Sequence, residues 1–504
     1  MVEWAAMDRR AFLRSSALVS GAALCGRTSW SQAASSVSLR LKLDPHKRGN
    51  PIPADFTGLS YETSQLNDPD FFSPDNAELV GFIRRLGRSG VLRIGGNSSE
   101  YANWSPEGSK EDKTTREDAQ ANVLQQALVV DLHQGPAKIT KNTPQAVKNL
   151  RGFVDAIGWK LIYGLNMGTG SVEMAVAEAD YVMRTMGDRL IAFQLCNEPD
   201  LFYRNSLRKS DYDFAQFAKE WQTYSAAIRQ KLPRAPFAGP DTAFNNEWLV
   251  PFAKQFKSEA AFLSQHYYAE GPPTDPSMTI ERLLRPNPAL AREFEGMAQT
   301  RQDSGLPFRL AETNSCYRGG KSGVSDTFAS ALWGCDLMYQ LAAAGGVGIN
   351  FHGGGYGWYT PIAGTVASGF TARPIFHGML LFAEAGPGYL IDAQLDNQDG
   401  APLLNAYGVV NYDSTVRAVV FNKHADRAIH LTIESGGTAE QARALRLSAP
   451  RLDDTQDVTL GCNPVGASGA WEPAHLETLA IHDGAAALEL PAGSAALVTF
   501  HNGA

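Results

Sequence analysis

The chain is poor in cysteine, with five in 504 residues and neither a Cys-x-x-Cys pair nor a His-Glu-x-x-His run. The first shortage excludes a disulfide framework, and nothing points to a zinc site. Positive charge is also short: Lys and Arg number 45 against 53 Asp and Glu, a net charge of −8. A dedicated nucleic-acid binder needs a basic excess to displace phosphate counterions, so that class falls away. The 47 Gly and 27 Pro show no period of three, which rules out a collagen-like repeat. No internal repeat or low-complexity tract is evident. Otherwise the composition is that of a globular protein, 44% apolar and 19% charged, and disorder is excluded for most of the chain. The length calls for more than one domain, or for one large barrel with an attached module.

The first 36 residues read as an export signal. Asp8-Arg9-Arg10-Ala11-Phe12-Leu13-Arg14 precedes a short apolar stretch, Ala17 to Leu24, and a small-x-small pattern at Ser31-Gln32-Ala33. Paired arginines before Phe-Leu resemble the twin-arginine type, so a periplasmic or secreted location is expected. The apolar run is too short to serve as a membrane anchor. Cleavage after residue 33 would remove four arginines and two acids, leaving a net charge of −10. It would also remove Cys25. Cys196, Cys316, Cys335 and Cys462 are then expected as buried thiols.

From residue 56 onward, short apolar runs alternate with helical patterns. Candidate strands are Phe56–Tyr61, Val91–Gly96, Lys160–Asn166, Leu190–Asn197, Pro236–Asp241, Phe262–Tyr268, Pro307–Glu312 and Val347–His352. They are Val/Ile/Leu/Phe-rich, as strands buried on both faces must be. Helical periodicity fills the gaps, for example over 212–231 and 327–344. Eight such units predict an α/β fold, a (β/α)8 TIM barrel over 56–385. A doubly wound open sheet is the runner-up, but no dinucleotide glycine fingerprint follows the first strand. The long polar connection from Asn97 to Asn142 reads as a pocket wall. Beyond Gly386 the pattern becomes short alternating strands between Gly, Asp, Asn and Pro turns, which predicts a C-terminal antiparallel β-sandwich over 386–504. The segment 37–55, with its strand Val37–Leu43, is expected to join that sandwich.

Reactive groups of a (β/α)8 barrel emerge at the C-terminal ends of its strands. Glu198 follows the fourth strand in Cys196-Asn-Glu-Pro-Asp200, and Pro199 biases it toward an extended backbone. Glu312 is expected at the end of the seventh strand. The two lie 114 positions apart (312 less 198), or three strand–helix units, so both can face one pocket. Two facing carboxyls suit glycoside hydrolysis, one as proton donor and the other as nucleophile or base. The first is expected protonated and the second ionised. His266 and His352, at strand ends, read as hydrogen-bonded pocket histidines rather than metal ligands. Among the tryptophans only Trp358, beside a glycine-rich turn, is picked to stack on a sugar. Trp104, Trp248 and Trp333 read as packing.

This layout resembles the clan A retaining glycoside hydrolases, and more narrowly glycoside hydrolase family 79, the β-glucuronidase and heparanase group. The residues that carry the resemblance are Leu59-Ser-Tyr-Glu62, Leu92-Arg-Ile-Gly-Gly-Asn97, Cys196-Asn-Glu-Pro-Asp200, His266-Tyr-Tyr268, Glu312-Thr-Asn-Ser-Cys-Tyr-Arg-Gly-Gly-Lys321 and Asn350-Phe-His-Gly-Gly-Gly355. It implies Glu198 as acid/base and Glu312 as nucleophile. Asn197 would bond the sugar 2-hydroxyl, and Tyr268 would donate to the nucleophile. Tyr317, the amides of Gly319 and Gly320, and Tyr359 or Tyr356 would bind the glucuronate carboxylate, with Arg318 or Lys321 assisting. Asn97 and Glu62 would meet the remaining hydroxyls. The implied activity is a retaining exo-β-glucuronidase acting on glucuronic acid-containing carbohydrate, without metal or organic cofactor. A heparanase-like endo enzyme and a non-catalytic sugar-binding protein are the rivals. The residue types fit an anionic sugar: a glycine-rich turn lets backbone N–H groups approach a carboxylate, and Tyr hydroxyls add donors without charge.

Overall fold

The computed structural model describes residues 37–106, 140–396 and 403–502. The expected export signal, 1–36, and residues 107–139 of the expected pocket wall lie outside these.

Eight parallel strands close into a barrel in the order Phe308–Cys316, Ile349–Gly353, Thr57–Glu62, Val91–Gly95, Lys160–Gly164, Leu190–Gln194, Phe237–Thr242 and Ala260–Glu270. Each candidate strand is present. Residues Val91 to Gly95 are all buried, because one face lines the barrel and the other lies under helices. That two-sided burial is the reason for continuous apolar runs.

The helices start where capping chemistry dictates. Phe214–Lys231 begins after Asp213, which forms a reciprocal capping box with Gln216, satisfying backbone N–H groups that the first turn leaves free. Its buried stripe of Phe217, Trp221, Tyr224 and Ile228 repeats every three or four residues. Trp221 packs 4.3 Å from the ring of Phe256. The helix Phe328–Ala343 is buried nearly all round, since it lies between the barrel and the C-terminal domain. Its Asp336 accepts from Lys423 Nζ at 2.9 Å, Asn405 Nδ2 at 2.8 Å and Tyr407 OH at 2.7 Å. A buried carboxylate is tolerated when it is paired and fully hydrogen-bonded in this way, and here the bonds come from the other domain.

That domain is an eleven-stranded, mostly antiparallel sheet. It curls around its own core, which includes Leu41, Val420, Leu431, Leu488 and Val498. The N-terminal strand Val37–Ile52 lies inside the sheet, antiparallel to Gly388–Asp396 and parallel to Ile429–Glu434. The strand Gly388–Asp396 escapes the sequence pattern. It turns polar after Ile391, and the partner that completes it lies some 345 residues earlier in the chain.

Candidate active site

The strand carrying Glu198 stops short of it. Leu190–Gln194 ends four residues earlier, with Leu165 N–H donating to Gln194 C=O at 2.7 Å. The extended backbone expected before Pro199 does not form. Glu198 is left-handed, with φ 49° and ψ 55°. Its N–H donates to the Asp241 carbonyl at 2.9 Å, and its carbonyl accepts from Leu201 N–H at 2.9 Å. Proline exerts only a local steric bias, and these bonds outweigh it. A non-glycine residue held there costs about 1–3 kcal/mol, which the surrounding structure must offset.

Glu312 lies within its strand, not at the end as expected, because Phe308–Cys316 continues for four residues beyond it. Pairing of the seventh strand with the sixth carries an irregularity between Leu310 and Glu312, after which Glu312 stands opposite His266. Thus one oxygen of Glu198, one of Glu312 and a ring nitrogen of His266 all lie within 4.8 Å of one another.

The centre of this arrangement is Arg93, fully buried on the second strand. Its guanidinium donates to Gln194 Oε1 at 2.7 Å, Ser60 Oγ at 3.2 Å, Glu312 Oε2 at 2.5 Å, Asn197 Oδ1 at 2.8 Å and Asp241 Oδ2 at 2.7 Å. The planar fork of five N–H groups suits such a hub, and a lysine would not. Arg93 lies in the run Leu92-Arg-Ile-Gly-Gly-Asn97 but is not among the residues expected at the site. The available signal is a charged residue in mid-strand where both faces are buried.

His266 stands between two carboxylates, with Nδ1 3.1 Å from Glu198 Oε1 and Nε2 3.1 Å from Asp241 Oδ2. Burial opposes a charge on the ring, but Asp241, Glu312 and the hydrogen bonds to Asp241 and Glu198 push its pKa up to about 10. His266 is therefore an imidazolium at neutral pH. His352 bonds Ser60 Oγ at 3.0 Å and lies 3.6 Å from both Glu312 and Glu62. Burial works to raise the Glu312 carboxyl, and it is overcome by His352, His266, Arg93 and the Tyr268 hydroxyl, which hold it well below the usual range. Glu312 is thus kept as a carboxylate. Glu198, His266 and Glu312 offer three ligand atoms in principle, but a metal ion there would meet the guanidinium of Arg93 and the charged ring of His266. The set suits proton and sugar chemistry better.

The residues expected around the sugar fall into three groups. Asn197, Asn97, Tyr268 and Glu62 sit close to the pair. Asn197 Nδ2 donates to Asn97 Oδ1 at 3.1 Å, and Tyr268 OH donates to Glu312 Oε1 at 2.8 Å. Glu62 accepts from Ser98 N–H at 2.8 Å and Ser98 Oγ at 2.5 Å. Tyr317 and Tyr359 form an aromatic wall with Tyr268, their ring centroids 6.4 and 6.1 Å from it. Gly319 and Gly320 both have positive φ (85° and 87°), and Gly319 C=O accepts from Trp358 N–H at 2.6 Å. A Cβ on Gly320 would lie 2.7 Å from Tyr359 N, so this glycine also permits two loops to touch. Tyr356 is exposed, and its one described polar contact is its carbonyl, 3.5 Å from Arg373 Nη2. Nothing among the described residues joins it to the glutamates.

Of the other singled-out residues, Trp358 is exposed with the Arg373 guanidinium 5.5 Å from its ring. Trp248 packs on Phe217, Trp333 on Phe351 and Trp104 on Tyr181. Lys321 Nζ donates to the Asp275 carbonyl at 2.7 Å. Cys196, Cys316 and Cys335 are buried free thiols, whereas Cys462, expected as a fourth, is half-buried and disulfide-bonded.

No protein-family model matches the chain. Its fold is that of barrel glycoside hydrolases. A 4-O-α-L-rhamnosyl-β-D-glucuronidase from Fusarium oxysporum 12S, solved with Rha-GlcA, superposes with a TM-score of 0.69 at 18% identity, covering 91% of this chain and 100% of that one. An α-L-arabinofuranosidase from Thermotoga maritima gives 0.64 at 14% identity, covering 92% and 100%. Among curated proteins, the chain is similar to a β-glucuronidase of Aspergillus niger, 24% identical over 59% of this chain, and one of Neurospora crassa, 22% identical over 76%. These matches span 58% and 75% of the relatives' own lengths.

Proposed function

We propose that the protein is a retaining β-glucuronidase that removes terminal β-linked glucuronic acid from glycans or small glucuronides. The observation that carries this reading is the approach of Glu198 and Glu312 to within 4.8 Å. Retaining glycosidases hold their carboxyls about 5–5.5 Å apart, and inverting ones leave room for a water at about 6.5–9.5 Å. The names of the curated relatives support the sugar.

In the first step the Glu312 carboxylate forms a bond to C1 of the glucuronosyl ring. The C1–O glycosidic bond breaks, and the leaving oxygen takes a proton from Glu198. In the second, Glu198 as carboxylate takes a proton from water, whose oxygen attacks C1 and releases Glu312. Asn197 meets the 2-hydroxyl, its Oδ1 already oriented by Arg93. Tyr317, the Gly319–Gly320 turn and Tyr359 receive the C6 carboxylate. Long-range attraction cannot do this work in an acidic chain, so local donors must.

The test is a panel of aryl β-glycosides, comparing glucuronide with glucoside, galactoside and xyloside, and proton NMR of the first-formed anomer. Hydrolysis confined to the glucuronide with release of β-glucuronic acid is expected. An α-anomer as first product would overturn retention. Incubation with heparan sulfate is expected to release no internal fragments, and shortening of the chain would establish the endo reading instead. Glu198→Gln and Glu312→Gln are each expected to abolish turnover of ordinary glucuronides while leaving glucuronate binding intact.

A further inference from the structure

Glu100 is a buried carboxyl group, its pKa pushed up to about 8 by burial, that the proposed chemistry does not use. It lies in the short turn Asn97–Tyr101 and is 2% exposed. Its side chain takes two backbone donors from two different loops. Oε1 accepts from Asn197 N–H, and Oε2 accepts from Gly168 N–H at 2.6 Å. Its own carbonyl accepts from Thr169 Oγ1 at 2.7 Å. The Gly168 loop is tied in turn to the segment after Glu198, because Arg208 donates to Gly168 C=O at 2.9 Å and Met167 C=O at 3.0 Å.

The location gives this clamp its meaning. Past Gln194 the barrel ladder is over, so the backbone carrying the proton donor must find other partners. Asn197 N–H goes to Glu100 and the next N–H, that of Glu198, goes to the Asp241 carbonyl. The left-handed Glu198 is therefore secured at its own amide and at the amide before it.

We propose that Glu100 is a positioning residue for acid catalysis. It sets the orientation of the Cys196–Asn197 peptide, the unit just before the one that the Asp241 carbonyl holds, and so the place where the Glu198 carboxyl meets the glycosidic oxygen. This rests on the reading of Glu198 as the proton donor. A glutamine at position 100 keeps the size but offers one acceptor where two are needed, with an amide N–H₂ facing a backbone N–H. Small misplacements of a catalytic group carry large rate penalties.

The test compares kcat/KM, which reports the first step, on phenyl and 2,4-dinitrophenyl β-glucuronide. Phenol departs only with a proton, and dinitrophenolate needs none. Wild type, Glu100→Gln, Glu100→Asp and Glu198→Gln are measured on both. Glu100→Gln is expected to lose roughly tenfold more on the phenyl substrate, a fraction of the 10²–10⁴ that a general acid supplies. The ratio within one variant cancels the folded fraction, and Glu100→Asp is read in the same way if the glutamine variant does not fold. Equal losses on both substrates, or no loss, would overturn the proposal. Glu198→Gln must show a still steeper dependence. A flat Glu198→Gln would remove Glu198 as the acid and take the clamp with it, whereas a steep Glu198→Gln beside a flat Glu100→Gln removes the clamp alone.

Discussion

Arg93 Nη1 and Glu312 Oε2 lie 2.5 Å apart in a pair shut off from solvent, on strands two and seven of the barrel. Arg93 shares the same guanidinium with Asp241, Asn197, Gln194 and Ser60, so one side chain ties the anionic carboxylate to the loop that carries Glu198. The pair is satisfied on both sides, the condition under which a buried charge is tolerated.

Removing the cation leaves several carboxylates facing one another in low dielectric. Arg93→Ala is expected to destabilise the fold by about 3–5 kcal/mol and to abolish activity. Arg93→Lys keeps the charge but not the fork, and is expected to lose most activity with a smaller loss of stability. Urea unfolding and kcat/KM on an aryl glucuronide check both.

Tyr268→Phe deletes the hydroxyl that donates to Glu312 Oε1 at 2.8 Å. A hydrogen bond to a charged group contributes about 1.5–3 kcal/mol, so kcat/KM is expected to fall roughly 10- to 150-fold. The carboxylate loses one of the groups that hold its proton affinity down. The acid limb of the pH–rate profile therefore moves to higher pH, and a shift to lower pH would contradict the assignment.

His266 links stability to pH. Its pKa is raised from 6.5 to about 10 in the fold. Between these values the native state holds a proton that the unfolded chain has released, so the stabilisation is full below about pH 6.5 and is lost as pH rises toward 10. Unfolding midpoints from pH 6 to 10 are expected to decline more steeply for wild type than for His266→Gln.

Gly320 has φ 87°, and a Cβ there would stand 2.7 Å from Tyr359 N. Gly320→Ala combines a left-handed backbone with a clash that a main-chain atom cannot avoid cheaply. It is expected to cost about 1–3 kcal/mol and to displace Tyr359. Melting temperature and glucuronide kcat/KM measure the two effects.

Tyr317→Phe tests carboxylate recognition. Loss of a donor to an anion removes about 1.5–3 kcal/mol, so glucuronide turnover is expected to drop at least tenfold, with little change in any residual glucosidase activity. Equal losses would detach Tyr317 from the carboxylate.

Most of the fold is legible in the chain. Eight apolar runs mark the barrel strands, because burial on two faces demands them, and helix spans follow from periodicity. Glu198 and Glu312 are legible from spacing. Less legible are the residues that act through them. Arg93, Gln194 and Asp241 sit far apart in sequence, as do Glu100 and its partners Gly168 and Asn197, and each is ordinary on its own. Only closure of the barrel brings them into one cluster.

By itself the sequence determined the class of fold and the identity of two carboxylates, since periodic burial and residue chemistry are local properties of the chain. Tertiary structure alone decided the left-handed turn at Glu198, the place of Glu312 inside its strand, and the charged state of His266. Backbone conformation there obeys hydrogen bonds from distant loops, and proton affinity depends on charges that meet only when the strands close.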